Sequence, residues 1–172
     1  QLLSYPIRAE YTTVTAAVVT RDPQVWYHSI VINKGTKDGI KIDFPVVGLM
    51  NGQEGLVGRV VETSFAASKV LLISDSLSAL VGSCPASGDD GVVEGTNGYE
   101  LLFRHLRPET AIEKNQVVVT AGTGGVFPAG IPVGSVAKIE SEEQDAFRTV
   151  RLRPRLNLSQ LRDVIVLIKK SE

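Results

Sequence analysis

Helical periodicity is almost absent from this sequence. In its place runs a train of short Val- and Ile-rich stretches, each ended by Gly, Pro, Asn or Asp. The stretches predict strands at Val14–Thr20, Ser29–Asn33, Val46–Met50, Leu56–Glu62, Lys69–Ser74 and Leu80–Cys84. A second set follows at Val92–Thr96, Tyr99–Arg104, Gln116–Thr120, Val133–Ile139, Arg148–Arg153 and Val164–Ile168. So many short strands at tight spacing describe an all-β chain, built as a sandwich or a barrel. Asn51-Gly52 and Asn97-Gly98 each separate two such runs and predict type I′ hairpins, whose central residues both need positive φ. Helix is confined to one-turn pieces at Ser76–Ala79 and Leu158–Arg162. Any helix begun at Gln1–Ser4 must stop by about Tyr5, ahead of Pro6.

The chain also repeats itself. His28–Gly35 followed by Asp38–Val47 has a counterpart in Tyr99–Leu106 followed by Thr110–Val119. Glycine-flanked strands Val57–Glu62 and Val133–Glu140 come next in each half, then further strands near Val70–Ile73 and Val150–Leu152. The drift in offset is taken up by the Gly122–Gly130 loop. The pattern predicts a duplicated six-stranded unit, about the number of strands that closes a small barrel filled by its own side chains. Closure also removes exposed edges. The domain reading is a linker over 1–12, a first barrel over 13–84 and a second over 85–172, with the last strand able to pack back on the first barrel. Gly58 and Gly134 fall at matching places in the two units.

Composition removes several function classes. Eighteen Lys+Arg against 19 Asp+Glu give a net charge of −1, without the basic excess of a protein that binds nucleic acid through bulk charge. The longest apolar run, Val164–Ile168, is far short of the roughly 20 residues a membrane helix needs. One cysteine, Cys84, excludes an internal disulfide, and with only two histidines there is little material for a structural zinc site. No metal or cofactor is expected.

Catalytic candidates are few. An early histidine and a late Gly-rich loop in a double barrel suggest a chymotrypsin-like serine hydrolase with His28, Asp75 and a serine near that loop. However, Gly122-Thr123-Gly124-Gly125 puts glycine where the nucleophile belongs, and Ser135 lies inside a strand. The same glycines lack the lysine and the following helix of a P-loop. Asp89-Asp90 and Glu142-Glu143 read as solvated turn acids. Arg151, Arg153 and Arg155 alternate with apolar residues, so a strand sets them on one face, either as its solvent side or as a docking row for an acidic partner or polyanion. Trp26-Tyr27 is either core or an interface anchor. Phe127-Pro128 follows a segment poor in side chains, and Phe127 either plugs the mouth of the second barrel or reaches a partner.

The order of motifs carries a resemblance. Val18–Pro23 with Trp26, Ile32–Ile40, Gly55–Val60, Ser68–Asp75 and the long run Val118–Gly134 stand in a sequence similar to the MreC family of bacterial rod shape-determining proteins. The resemblance covers roughly Val14 to Ile168. It implies two six-stranded β-barrels, distantly chymotrypsin-like in architecture but without an active site, behind a coiled coil whose stub would be Gln1–Ser4. It implies a non-catalytic scaffold outside the cytoplasm, anchored by an N-terminal membrane helix that this sequence lacks. Implied partners are a class B penicillin-binding protein, RodA, MreD and MreB, with dimerisation through the coil and self-association of barrels. Trp26, Tyr27, Phe127, Pro128, Arg151, Arg153 and Arg155 are the candidate contacts.

Overall fold

In the computed structural model, which describes residues 5–140 and 146–170, a short helix α1 (Tyr5–Glu10) leads into twelve strands. They are β1 (Tyr11–Thr20), β2 (Ser29–Ile32), β3 (Pro45–Met50), β4 (Gln53–Thr63), β5 (Ser68–Leu72), β6 (Ala79–Cys84), β7 (Asp89–Gly95), β8 (Leu101–Leu106), β9 (Val117–Thr120), β10 (Pro132–Ile139), β11 (Arg148–Pro154) and β12 (Asp163–Lys169). All twelve expected strands are present, most of them longer by a residue or more. The expectations for Glu142-Glu143 and for Gln1–Ser4 fall outside the described residues.

The strands close into two barrels, ordered β1-β12-β3-β4-β5-β2 and β10-β11-β8-β7-β6-β9. Started at β12, the first ring reads β12-β1-β2-β5-β4-β3. Started at β6, the second reads β6-β7-β8-β11-β10-β9. The two rings have one topology, with β2, β3, β4 and β5 matching β8, β9, β10 and β11 as the sequence repeat pairs them. The first barrel takes its sixth strand from the far end of the chain: β12 lies between β1 and β3, with Val164 opposite Gly48 and Val166 opposite Val46. The second barrel is therefore inserted between β5 and β12 of the first.

This corrects the boundary placed after Cys84. β6 pairs with β7 from Ala79↔Glu94 to Cys84↔Asp89 and with β9, so it belongs to the second barrel, and the crossing lies at residues 73–78.

Three local expectations also change. α1 runs past Pro6, because a proline in the first helical turn lacks only an N–H that would be unpaired there anyway. Ser76–Ala79 forms a turn closed by Ser78 N–H donating to the Asp75 carbonyl (2.9 Å), and Ala79 already starts β6. Asn51-Gly52 has φ of 51° and 78°, fitting the type I′ turn, whereas Asn97 alone of its pair has positive φ (60°). The second loop is wider: Gly95 pairs with Leu101, and the Thr96 hydroxyl donates to the Glu100 carbonyl at 2.6 Å.

Alternating strand residues fill each barrel, Ile30, Val57, Val70 and Val166 in the first and Val93, Phe103, Val136 and Leu152 in the second, all buried. Room for the Phe103 ring comes from glycine. Gly82 and Gly91 are register partners, and a Cβ on either would stand 3.4 Å and 2.9 Å from the ring. The buried side chains of both barrels form one continuous cluster.

Candidate functional site

The two crossings between barrels, residues 73–78 and the segment from Pro154 to Arg162, line one cleft and lie beside several of the candidate side chains. Asn97 ties the first crossing to the β7–β8 loop, its N–H donating to the Ser74 carbonyl (2.8 Å) and its side-chain oxygen accepting from Ser76 N–H (2.7 Å). Arg21, at the end of β1, ties down the second crossing by donating to the carbonyls of Leu158 (2.5 Å) and Leu161 (3.0 Å). Burial pushes the Arg21 guanidinium below its ordinary pKa.

Two members of the expected triad meet here. His28 Nδ1 lies 2.5 Å from Asp75 Oδ2, and the other carboxylate oxygen accepts from Leu77 N–H at 2.8 Å. The third member is missing. Ser135 sits in β10 opposite Val117 and Arg153, and the Ser74 hydroxyl is spent on the Tyr27 carbonyl (2.7 Å). Among the described residues no hydrogen bond joins His28 to a serine, so the expected triad is not brought together. The pair instead braces the β1–β2 connection against the first crossing.

Trp26 follows a 3-10 turn (Pro23–Val25) capped by Asp22, whose side chain accepts from Gln24 N–H at 2.9 Å. Its half-buried ring packs on Tyr99 from the other barrel, centroids 4.5 Å apart and planes tilted by 32°, with Tyr27 edge-on at 5.7 Å. Trp26 packs on the core with part of its surface and helps line a surface cleft with the rest. Tyr99 was missed as a site residue. The sequence reads it as the start of a strand, but it stands in the loop, 67% exposed. Trp26, Tyr99, Ser74, Arg153, Arg155 and Leu158 help line a mainly apolar cavity of about 260 Å³ between the crossings.

The arginine row is broken. Arg151 and Arg153 share the outer face of β11, but Arg151 is paired with Glu140 and with Glu100 (3.6 Å), and the hydrogen bond to Glu140 raises its pKa. Arg155 lies past Pro154. Its stem covers Gly55, where a Cβ would come within 2.8 Å of Arg155 Cβ and Cγ, and its Nε is buried with no hydrogen-bond partner. Among the described residues neither Arg153 nor Arg155 makes an ion pair.

The Gly122–Gly130 loop forms a second cavity, of about 410 Å³, whose lining includes Ile7, Tyr11, Gly125, Phe127, Pro128 and Lys169. Phe127 is half-buried against the core. The buried Thr120 hydroxyl staples the loop, donating to the Pro128 carbonyl (2.5 Å) and accepting from Ile131 N–H (2.9 Å).

Asp89 corrects the reading of solvated turn acids. It is buried, and accepts from Arg107 Nε at 2.6 Å and from the Thr110 hydroxyl. Burial opposes its ionisation, but the hydrogen bonds from Thr110 and Arg107 outweigh that and hold the carboxyl below the usual range. Asp90 alone of the pair is solvent-exposed.

A family model described as "Rod shape-determining protein MreC, barrel core" matches residues 18–168. The cell shape-determining protein MreC of Listeria monocytogenes is 31% identical over 168 residues, which is 95% of this chain and 56% of the relative. The chain spans about half the length of the curated relatives it matches. The crystal structure of MreC from Pseudomonas aeruginosa superposes with a TM-score of 0.84 at 26% identity, covering 91% of this chain and 99% of that one. The same fold recurs in a complex between a penicillin-binding protein (PBP2) and MreC from Helicobacter pylori, with a TM-score of 0.67 at 21% identity over 94% of this chain and 100% of that one.

Proposed function

The chain belongs to the MreC family, whose barrel core it carries over residues 18–168, and on that premise we propose that it is a non-catalytic scaffold of the bacterial cell-elongation machinery. It sets cell shape by organising and activating peptidoglycan synthases through the surfaces of its two barrels. The family match across both barrels carries this reading. The seam fits it: among the described residues His28 and Asp75 are held as a brace with no serine hydrogen-bonded to the histidine, while the exposed aromatic Tyr99 lines one cleft with two arginines that make no ion pair there.

A scaffold of this kind acts by binding one state of a synthase better than another and so shifting its population. Barrels whose cores are closed and continuous lose little entropy on binding. A class B penicillin-binding protein is the first partner, consistent with the complex formed by the Helicobacter pylori relative. RodA, MreD and MreB are further partners of the full-length protein. We place the barrels outside the cytoplasm behind a membrane helix and a dimeric coiled coil, with Trp26, Tyr27, Phe127, Pro128, Arg153 and Arg155 as contacts.

The test is capture of the purified extracytoplasmic part of the cognate penicillin-binding protein on immobilised chain. Saturable capture by the native chain, lost when the chain is unfolded, is expected. No capture above that of the unfolded control overturns the reading.

A further inference from the structure

We infer that the cavity between the barrel crossings seats an extended segment of a partner polypeptide, an apolar side chain entering between Trp26 and Leu158 and an acidic side chain pairing with Arg153 and Arg155. The inference rests on the scaffold reading only in taking the occupant to be a protein.

Size comes first. At about 260 Å³ the cavity lies below the ~300–1,000 Å³ that encloses a drug-sized ligand, so it suits one or two side chains rather than a cofactor. Its chemistry comes second. The lining is mostly apolar, with an aromatic pair at one wall. Trp, Tyr and Arg are the residues in which binding energy concentrates at protein interfaces.

Charge comes third and decides the partner. No residue lining the cavity is acidic, while two arginines line it without an ion pair among the described residues. Arg155 Nε is buried and unpartnered, a donor whose desolvation nothing among the described residues offsets. The contrast with Arg151, two residues before Arg153 on the same strand and held by Glu140 and Glu100, shows that this surface supplies carboxylates where it uses arginine structurally. A carboxylate from outside completes the cleft, and the planar guanidinium fork favours it over uncharged acceptors.

Place comes fourth. Trp26 belongs to the first barrel and Tyr99 to the second, while Ser74 and Leu158 lie on the two crossings. An occupant therefore touches both barrels and both crossings between them.

Trp26 is the only tryptophan, so its fluorescence reports the site directly. The probes are the capped peptide acetyl-Gly-Leu-Phe-Asp-Gly-amide and its Asn counterpart, titrated into the native chain and into the Arg153→Gln/Arg155→Gln variant. Glutamine keeps the Cβ and Cγ that cover Gly55, so the fold is preserved. A saturable change with the Asp peptide is expected, weakened at least tenfold by either the Asn peptide or the variant. Equal response to both peptides, or no saturable response, overturns the inference. So does a Trp26 signal that changes with the chain's own concentration, together with a sedimenting dimer abolished by Tyr99→Ala, because the occupant is then a second copy. Capture of the penicillin-binding protein is measured alongside: capture retained without a peptide response sinks the cleft assignment alone, and a peptide response without capture sinks the scaffold reading alone.

Discussion

Gly58 and Gly134 occupy one position in two barrels. A Cβ on Gly58 would stand 1.9 Å from the Leu71 carbonyl oxygen, and one on Gly134 would stand 2.3 Å from that of Arg153. Gly58 pairs with Leu72 on β5 and Gly134 with Pro154 on β11, so each faces the residue before its own partner. The neighbour is backbone in both cases and has no rotamer to yield.

The first prediction follows from that contact. Gly58→Val and Gly134→Val each force the adjacent strands apart and destabilise by about 1–3 kcal/mol or more through overpacking. Urea denaturation of both variants checks it. Two unchanged midpoints would end the equivalence of the repeats at their best-aligned point.

Asp89 gives a pH prediction. Its folded pKa is depressed, with burial opposing and the Thr110 and Arg107 hydrogen bonds prevailing. Its contribution is therefore fully present above the unfolded carboxylate value of about 3.9 and is lost as pH falls through that value towards the folded one. Asp89→Asn should cost about 1–3 kcal/mol at neutral pH and flatten the acid limb of the stability profile. Equal acid sensitivity in wild type and variant would remove Asp89 from that limb.

The strands were legible because alternation and turn chemistry are local, and so was the repeat that paired β2–β5 with β8–β11. What crosses the chain was legible only in outline: the last strand was expected to be able to pack back on the first barrel, as β12 does, but nothing in Val164–Ile168 says that it lies between β1 and β3, because strand pairing at that separation leaves no local mark. The Asn97-Gly98 turn was read from its dipeptide, but the Thr96 hydroxyl on the Glu100 carbonyl favours a wider loop and frees Tyr99 to meet Trp26. Asp89 looked like a turn acid because its donors, Arg107 and Thr110, come from beyond the next strand. His28 and Asp75 were named together from chain order, and the fold joins them in a different role.

That role yields a third prediction. His28→Ala removes one partner of a buried carboxylate that keeps the Leu77 N–H, so it should cost about 1–3 kcal/mol. Capture of the penicillin-binding protein should be unchanged for folded His28→Ala and Ser135→Ala, and neither wild type nor variants should label stoichiometrically with a serine-reactive probe. Stoichiometric labelling of the native chain would contradict the scaffold reading.

Phe127 packs by only part of its surface. Truncation to Ala should therefore lower stability by about 1–3 kcal/mol, less than the ~3–5 kcal/mol of a fully buried aromatic. Chemical denaturation distinguishes the two ranges, and a loss in the upper one would make the ring a plug of the second barrel.

The last prediction concerns the strand that returns. Val166 is fully buried in β12 opposite Val14 and Val46, so an aspartate there places a charge in the first barrel with no partner in register. Burying an unpaired charge costs several kcal/mol unless the structure opens. The least costly opening is release of β12, a single strand held in the first barrel by its pairings with β1 and β3 and by the burial of Val164, Val166 and Leu167. Release leaves β1 and β3 with unpaired edges. The second barrel contains no residue of β12 and has its own interior around Phe103. Amide hydrogen exchange of Val166→Asp should therefore show protection lost from β1 and β3 first, spreading to β2, β4 and β5, while β6 to β11 stay protected. Equal loss in both barrels would mean that their continuous core unfolds as one cooperative unit, and that the inserted barrel depends on the strand it does not contain.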